Sequence, residues 1–415
     1  MMKKRGLFLI FSIGLLLRMG YILVFPQEKV LRGDAAQYDI IAHNLVSGFG
    51  FSINPNVPTP TRAPIYPLFL SFIYFIFGHN YTVVRFFQVI LSGLTCVILY
   101  YIAKEIFNEK IATISAWLLV SYPVLIVYTG LLLTETLFTF LLAVSVLLLI
   151  RGIVTAKTKY FIGSGTFLGL ATLTRPVTLL FPFVILIFFI IVKRKLILNW
   201  FAFFLIFVVV LFPWVLRNYK LFGMYNICSI GTGYGIFVTG NMAKGYTFEE
   251  SFQKYVEFAK GFPEPKVFIP KQCPDVERER KSQAEGLKLI KENLKNYFII
   301  VLKRLPRFWW TSHSSIFGVD KPISEYLREK NYLYPAIRFS LLGLHGIVLM
   351  LALVGIIVSI KNWQNTLILV LILIYFTGHI LFDMVPRYHL PATPYLFAFT
   401  SVGLYSFVGL FKKAK

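Results

Sequence analysis

The stretch APIYPLFLSFIYFIFG, residues 63–78, is one of eleven long apolar runs in this chain, and its reading sets the orientation of every run after it. As an α-helix it reaches only about 24 Å, short of the roughly 30 Å of a bilayer's hydrocarbon core. Pro64 and Pro67 stand at its start, where a helix tolerates proline. It reads as a re-entrant or interfacial helix. The other ten runs, at about 7–25, 81–103, 110–128, 135–150, 160–174, 176–192, 197–216, 337–360, 364–382 and 390–411, read as transmembrane helices. Hydrocarbon offers the backbone no water, so such segments satisfy their N–H and C=O groups as helices.

Charge tests that reading, because basic residues collect in short cytoplasmic loops. With ten spans and an internal N-terminus, the cytoplasmic pieces are MMKKR, KEIFNEK (104–110), RGIVTAKTK (151–159), KRK (193–195), KNWQ (361–364) and the tail KKAK, each basic or neutral. Counting 63–78 as a full span would move KTK and KRK outside. The same topology gathers four features on the outer side: the loop 26–80, the turn near Glu135, the turn LTRPV (173–177) and DMVPRYHLP (383–391).

Composition agrees. The 415 residues are 57% hydrophobic and 15% charged, against about 25% charged in soluble domains, and mean hydropathy is +0.70. The opening MMKKRGLFLIFSIGLLLRMGYILVF lacks a small-residue cleavage site and is expected to stay as the first helix. A net charge of +23 spread over loop ends, with no nucleic-acid motif, points to anionic lipid or phosphate as partner. Cys96, Cys228 and Cys273 show no metal or redox spacing; Cys228 and Cys273 could pair in an oxidising compartment. The expected organisation is a transmembrane core at 1–216, an outer-face segment at 217–335 and C-terminal helices at 336–415. Within the middle segment, an amphipathic helix is expected at about 281–309, where apolar residues recur at helical spacing between lysines.

Asp34 is the first candidate for chemistry. In GDAAQ it stands like an N-cap, with Gln37 completing a capping box before a helix at 35–47. The same carboxylate could instead take a proton from an attacking hydroxyl at the membrane surface. Both readings stay open. Tyr38 lies one turn on, on the same face, while Asp39 shares a face with His43 as a surface pair. Glu135 opens a transmembrane helix, either as a functional acid or as a helix-start carboxylate behind a Thr134 cap. Arg175, Arg217 and Arg387, with Tyr388, fall at the outer ends of spans, where guanidinium groups suit a phosphate headgroup or snorkel to the interface. His389 shares no ligand spacing with His43, His79 or His313, so no required metal is predicted and a need for a divalent ion is left open. Walker, dinucleotide-binding and nucleophile-elbow motifs are absent from the sequence.

Taken in order, YDIIAHNLVSGFGFS, TRAPIYPLFLSFIYFIFG, VVRFFQVILSGLTCVILYYIAKEIF, LLLTETL, ATLTRP, FPWVLRNYKLFG and RYHLPATPYLFA resemble the GT-C glycosyltransferases of the family 39 type. That group includes protein O-mannosyltransferases and the lipid A aminoarabinose transferase. The resemblance implies an all-α, polytopic GT-C fold and inverting transfer of a sugar from a polyprenyl-phosphate donor to a lipid, glycan or protein acceptor. It implies an outer-face site in an integral protein of, in the expected setting, the bacterial cytoplasmic membrane. By position it gives Asp34 the general-base role, Glu135 that of a second outer-loop acid, and Arg387 the carrier phosphate. One position departs: where several relatives have Glu-Lys-Pro-Pro or His-Pro-Pro, this chain has TRAP, with Arg62 in place of an acid or histidine. A lipid flippase and a scaffold subunit are the competing readings. Charges near the mid-plane or repeated halves would favour transport.

Overall fold

The computed structural model describes residues 4–25, 31–228, 232–262, 267–382 and 385–413. Residues 26–30 of the first outer loop, Asp383 and Met384 of the last outer turn, and the tips of both basic termini lie outside the described residues. Among the described residues the chain is helical with no strand; one isolated bridge links Ser52 and Pro58.

All ten expected runs are helical. The chain begins with α1 (Lys4–Val24), α2 (Gly33–Val46), α3 (Ile65–Phe77) and α4 (Tyr81–Ile106). The stretch that set the orientation is thus the short helix α3, about 20 Å long. The run 110–128 is two helices, α5 (Glu109–Ser121) and α6 (Pro123–Tyr128), because Pro123 has no N–H to continue the ladder and pushes Tyr122 into extended backbone. Next come α7 (Glu135–Thr155), α8 (Thr158–Thr174), α9 (Phe181–Val192) and α10 (Ile197–Phe222).

In the middle segment, α11 (Thr232–Lys244) and α12 (Phe248–Lys260) precede α13 (Pro274–Glu292) and α14 (Leu294–Trp309). The single amphipathic helix expected at 281–309 is therefore two, broken where Asn293 leaves helical geometry. A short α15 (Ile323–Arg328) leads to α16 (Leu333–Ser359), α17 (Trp363–Thr377) and α18 (Thr393–Lys413). Five described stretches are long and apolar enough to cross a membrane: Arg5–Val24, Tyr81–Ile106, Glu135–Thr155, Arg194–Phe222 and the continuous Leu333–Leu381. Cys228 and Cys273, a possible pair by sequence, are not joined by a disulfide.

Two features lock the bundle. At the crossing of α16 and α18, a Cβ on Gly355 would lie 1.9 Å from the Phe399 carbonyl oxygen, and one on Gly403 would lie 2.0 Å from that of Leu351. Backbones this close leave room only for glycine. Gly403→Val is expected to cost about 3 kcal/mol or more by forcing the helices apart, read as a lower melting temperature in detergent.

The second lock is Arg18, fully buried in α1. Its Nε donates to Ser92 Oγ (2.7 Å), Nη1 to the Gly14 and Val120 carbonyls (3.0 and 3.1 Å) and Nη2 to the Leu119 carbonyl (3.0 Å). Leu119 and Val120 belong to the last turn of α5, whose carbonyls have no helical partner ahead of Pro123. Arg18 thus caps α5 and complements the negative end of its dipole. Arg18→Leu leaves those carbonyls buried and unpaired, and a loss of about 2–4 kcal/mol is expected, measured by thermal unfolding in detergent.

Candidate active site

Five separated pieces of chain meet at one end of the bundle, and three segments beside them are pinned by side-chain bonds. The loop ahead of α7 is pinned to α4: Arg85 Nε donates to the Gly130 carbonyl (2.9 Å), and Gln88 Nε2 donates to those of Thr129 (2.9 Å) and Leu131 (2.8 Å). Tyr66 of α3 donates to the other end of the Gln88 amide (2.9 Å). These bonds set where Glu135 begins its helix. The loop after α2 is held by Asn44, whose amide donates to the Ser52 and Ile53 carbonyls (2.9 and 3.0 Å). The turn Pro386–Ala392 is anchored from beneath by the fully buried His389, whose Nδ1–H donates to the Phe308 carbonyl (2.8 Å). Burial and the neighbouring His313 and His345 hold the His389 pKa well below its ordinary value, so the anchor is a neutral ring.

Asp34 does not cap its helix. Arg32 occupies the cap position without a side-chain bond, and Asp34 lies inside the first turn. Both carboxylate oxygens are taken by guanidinium groups: Oδ1 accepts from Arg62 Nη2 at 2.6 Å, and Oδ2 from Arg387 Nη2. Gln37, expected to close the capping box, instead accepts from Arg62 Nε at 2.8 Å. Charge pairing across the fold outcompetes the local cap. Burial alone would raise the Asp34 pKa, but the charges of Arg62 and Arg387 outweigh it and hold the carboxyl below the usual carboxylate range.

Glu135 is nearly enclosed, at 3% exposure. Its Oε1 pairs with Arg175 Nη1 at 2.7 Å and lies 3.5 Å from Arg387 Nε. Thr134 makes no capping bond to the helix, correcting that expectation, and its hydroxyl accepts from Arg175 at 3.3 Å. The Arg175 guanidinium lies 4.9 Å from the Tyr388 ring centroid, and that of Arg62 lies 5.1 Å from the Tyr38 ring. Burial pushes the Tyr38 phenol up to about 12, which keeps it a neutral donor. Asp34, Glu135, Arg175, Arg387, Tyr38 and Tyr388 are therefore one group, joined by Arg62, a residue the sequence marked only as a departure from a pattern.

The group has two carboxylates and three guanidiniums, leaving one positive charge in excess. Among the described residues, Arg387 Nε is buried without a hydrogen-bond partner. Such an arrangement can hold an anion and keep a carboxylate ionised beside it.

Two sequence expectations fall elsewhere. Arg217 is outside the charged group: it donates to Asn218 Oδ1 (2.8 Å) and the Thr59 carbonyl (3.3 Å), and lies 4.4 Å from the Trp214 ring centroid. Asp39 does not pair with His43; it accepts from Tyr74 (2.7 Å) and Tyr81 (2.9 Å) and pairs with His79 (2.8 Å), tying α2 to the α3–α4 corner. Among the described residues there is no group of three or more His, Cys, Asp and Glu arranged to hold a metal ion.

The backbone arrangement is a known one. The oligosaccharyltransferase of Archaeoglobus fulgidus in its apo form superposes with a TM-score of 0.52 at 15% identity, over 99% of this chain and 52% of that one. The chain has the GT-C fold. The same archaeal protein, AglB, in complex with an inhibitory peptide and a dolichol-phosphate, matches this chain at a TM-score of 0.51 and 15% identity, over 99% of this chain and 51% of its own. The chain thus spans about half the length of these structures. ArnT from Cupriavidus metallidurans bound to undecaprenyl phosphate superposes more loosely, at a TM-score of 0.45 and 12% identity, over 95% of this chain and 76% of its own. In sequence, residues 61–216 match the model of the dolichyl-phosphate-mannose-protein mannosyltransferase family. That stretch holds Arg62, Glu135 and Arg175, while Asp34 and Arg387 lie on either side of it. A sequence search of curated proteins finds no match.

Proposed function

We propose that this integral membrane chain is an inverting glycosyltransferase that moves a sugar from a polyprenyl-phosphate donor to a hydroxyl or amide acceptor at the outer face of the membrane. The observation that carries the reading is the placement of Asp34 beside Arg387, a cation whose buried Nε has no hydrogen-bond partner among the described residues. The dolichol-phosphate bound by AglB supports a lipid-phosphate donor, and the mannosyltransferase match supports a sugar as the group moved.

In this reading Arg387 binds the carrier phosphate and stabilises the charge that develops on it as the sugar–phosphate bond breaks. Asp34 accepts the proton of the attacking acceptor as the new bond to the anomeric carbon forms on the opposite side. Glu135 and Arg175 hold Arg387 and the wall of the site in place. Tyr38 and Tyr388 stack on the guanidiniums and keep water from their faces.

The test is a panel of radiolabelled polyprenyl-phosphate sugars offered to the purified chain with membrane lipid, glycan and peptide acceptors. Labelled acceptor and free polyprenyl phosphate are expected from at least one donor. Movement of the intact donor across a liposome membrane without any transfer would establish the flippase reading instead.

A further inference from the structure

Arg62 and Arg387 both bind Asp34, but the structure holds them differently. Arg62 is fixed on three sides: its Nε donates to Gln37 Oε1, its Nη2 to Asp34 Oδ1, and its plane packs on the Tyr38 ring. Gln37, Asp34 and Tyr38 all belong to α2, so Arg62 moves with the helix that carries the acid. Arg387 comes from the far end of the chain and is shared between Asp34 Oδ2 and Glu135 Oε1. One guanidinium is held by a single helix, and the other is divided between two acids, with a buried Nε that sits 3.5 Å from Glu135 Oε1 and makes no hydrogen bond among the described residues.

We infer that Arg62 is the positioning residue for Asp34, holding it aimed and ionised while Arg387 transfers from Asp34 to the carrier phosphate. This rests on the donor-and-base reading above. A phosphate reaching Arg387 competes with Asp34 for Nη2 and with the longer Glu135 contact for Nε, giving the two-pronged contact that guanidinium groups make with phosphate. Asp34 Oδ2 is then released to face an acceptor, and Oδ1 stays on Arg62. The donor thereby uncovers the base, so that donor binds before acceptor.

Without Arg62, loss of Arg387 to the phosphate would leave Asp34 half-buried beside an anion and with no cation. Its pKa would rise and the acid would take up a proton. Arg62 therefore decides whether donor binding leaves the base usable.

The experiment uses the full chain in detergent and a polyprenyl monophosphate as probe, with calorimetry at pH 5 in buffers of different ionisation enthalpy, which reads affinity and proton uptake together. Arg62→Gln is expected to keep the probe's Kd within about threefold, and Arg387→Gln to weaken it at least tenfold, as expected for loss of a charge-assisted contact. Arg62→Gln should also take up close to one proton more per bound probe than the native chain, and the double variant Arg62→Gln, Asp34→Asn should not. If Arg62→Gln does not fold, Arg62→Met is the second neutral variant, its length suited to the Tyr38 ring. Arg62→Lys should suppress the extra uptake.

A loss of affinity in Arg62→Gln equal to that in Arg387→Gln would make Arg62 a phosphate ligand and overturn the inference. Unchanged affinity with no extra proton would overturn it too. Native turnover by Asp34→Asn would instead remove the base reading itself, whatever Arg62→Gln does.

Discussion

Asp34→Asn is expected to lower sugar transfer by about a hundredfold to ten-thousandfold, the range that general-base catalysis supplies. Asparagine keeps the shape and can still accept from Arg62 or Arg387, so the fold and the bound helix α2 should persist. What it cannot do is take the acceptor's proton. The measurement is turnover with the donor found in the panel assay, alongside a melting curve in detergent. Transfer near the native rate with an intact melting curve would remove Asp34 from the mechanism. On the proposed reading, the native chain should also show a matching pH dependence. Because Arg62 and Arg387 hold the Asp34 carboxyl below the usual range, the base form is present above that lowered pKa. Turnover should fall only as pH drops through it, and Asp34→Asn should abolish that acid limb.

Glu135→Ala has the largest expected effect on stability. Its carboxylate pairs with Arg175 in surroundings where the two side chains are only 4% and 16% exposed, and it is also the second acid beside Arg387. Removing it leaves Arg175 enclosed with no carboxylate partner, a change that typically costs about 3–5 kcal/mol. The double variant Glu135→Ala, Arg175→Met should regain much of that loss, since an apolar pair of similar volume needs no compensating charge. Thermal unfolding of the three proteins decides the matter: a single variant as stable as the native chain would show that the pair contributes nothing. Activity should not return in the double variant, because Arg387 would still lack its second anchor.

The helical plan could be read from the sequence because hydrocarbon restricts the choices so strongly. Ten apolar runs became helices, and the short run 63–78 became the short helix α3. The finer divisions followed rules that act over one residue. Pro123 split a run whose composition looked continuous, and Asn293 split an amphipathic pattern whose periodicity ran through it. At the site, residue type pointed to Asp34, Glu135, Arg175 and Arg387, but their bonds could not be inferred from position along the chain.

Asp34 had a credible local partner in its own helix start, and lost it to two arginines, 28 and 353 residues away. Asp39 likewise passed over His43 for a corner built from α3 and α4. Arg62 was conspicuous only as an odd residue in a proline-rich motif. A cation in a first-loop motif beside an acid was the available signal. Arg217 looked equivalent to the other arginines because it too ends a helix, yet aromatic rings and carbonyls hold it apart from them.

The cap that Arg18 places on α5 has a consequence for how the chain is made. Its partners Ser92, Leu119 and Val120 are encoded 74 to 102 residues downstream. During synthesis from the N-terminus, α1 must therefore enter the bilayer with a cation that has no side-chain partner, at a cost of up to about 3 kcal/mol on insertion scales. The strongly apolar residues around it within Arg5–Val24 offset that cost. Two of its carbonyl partners arrive only with α5, so α1 is translated before the helix that completes its seat.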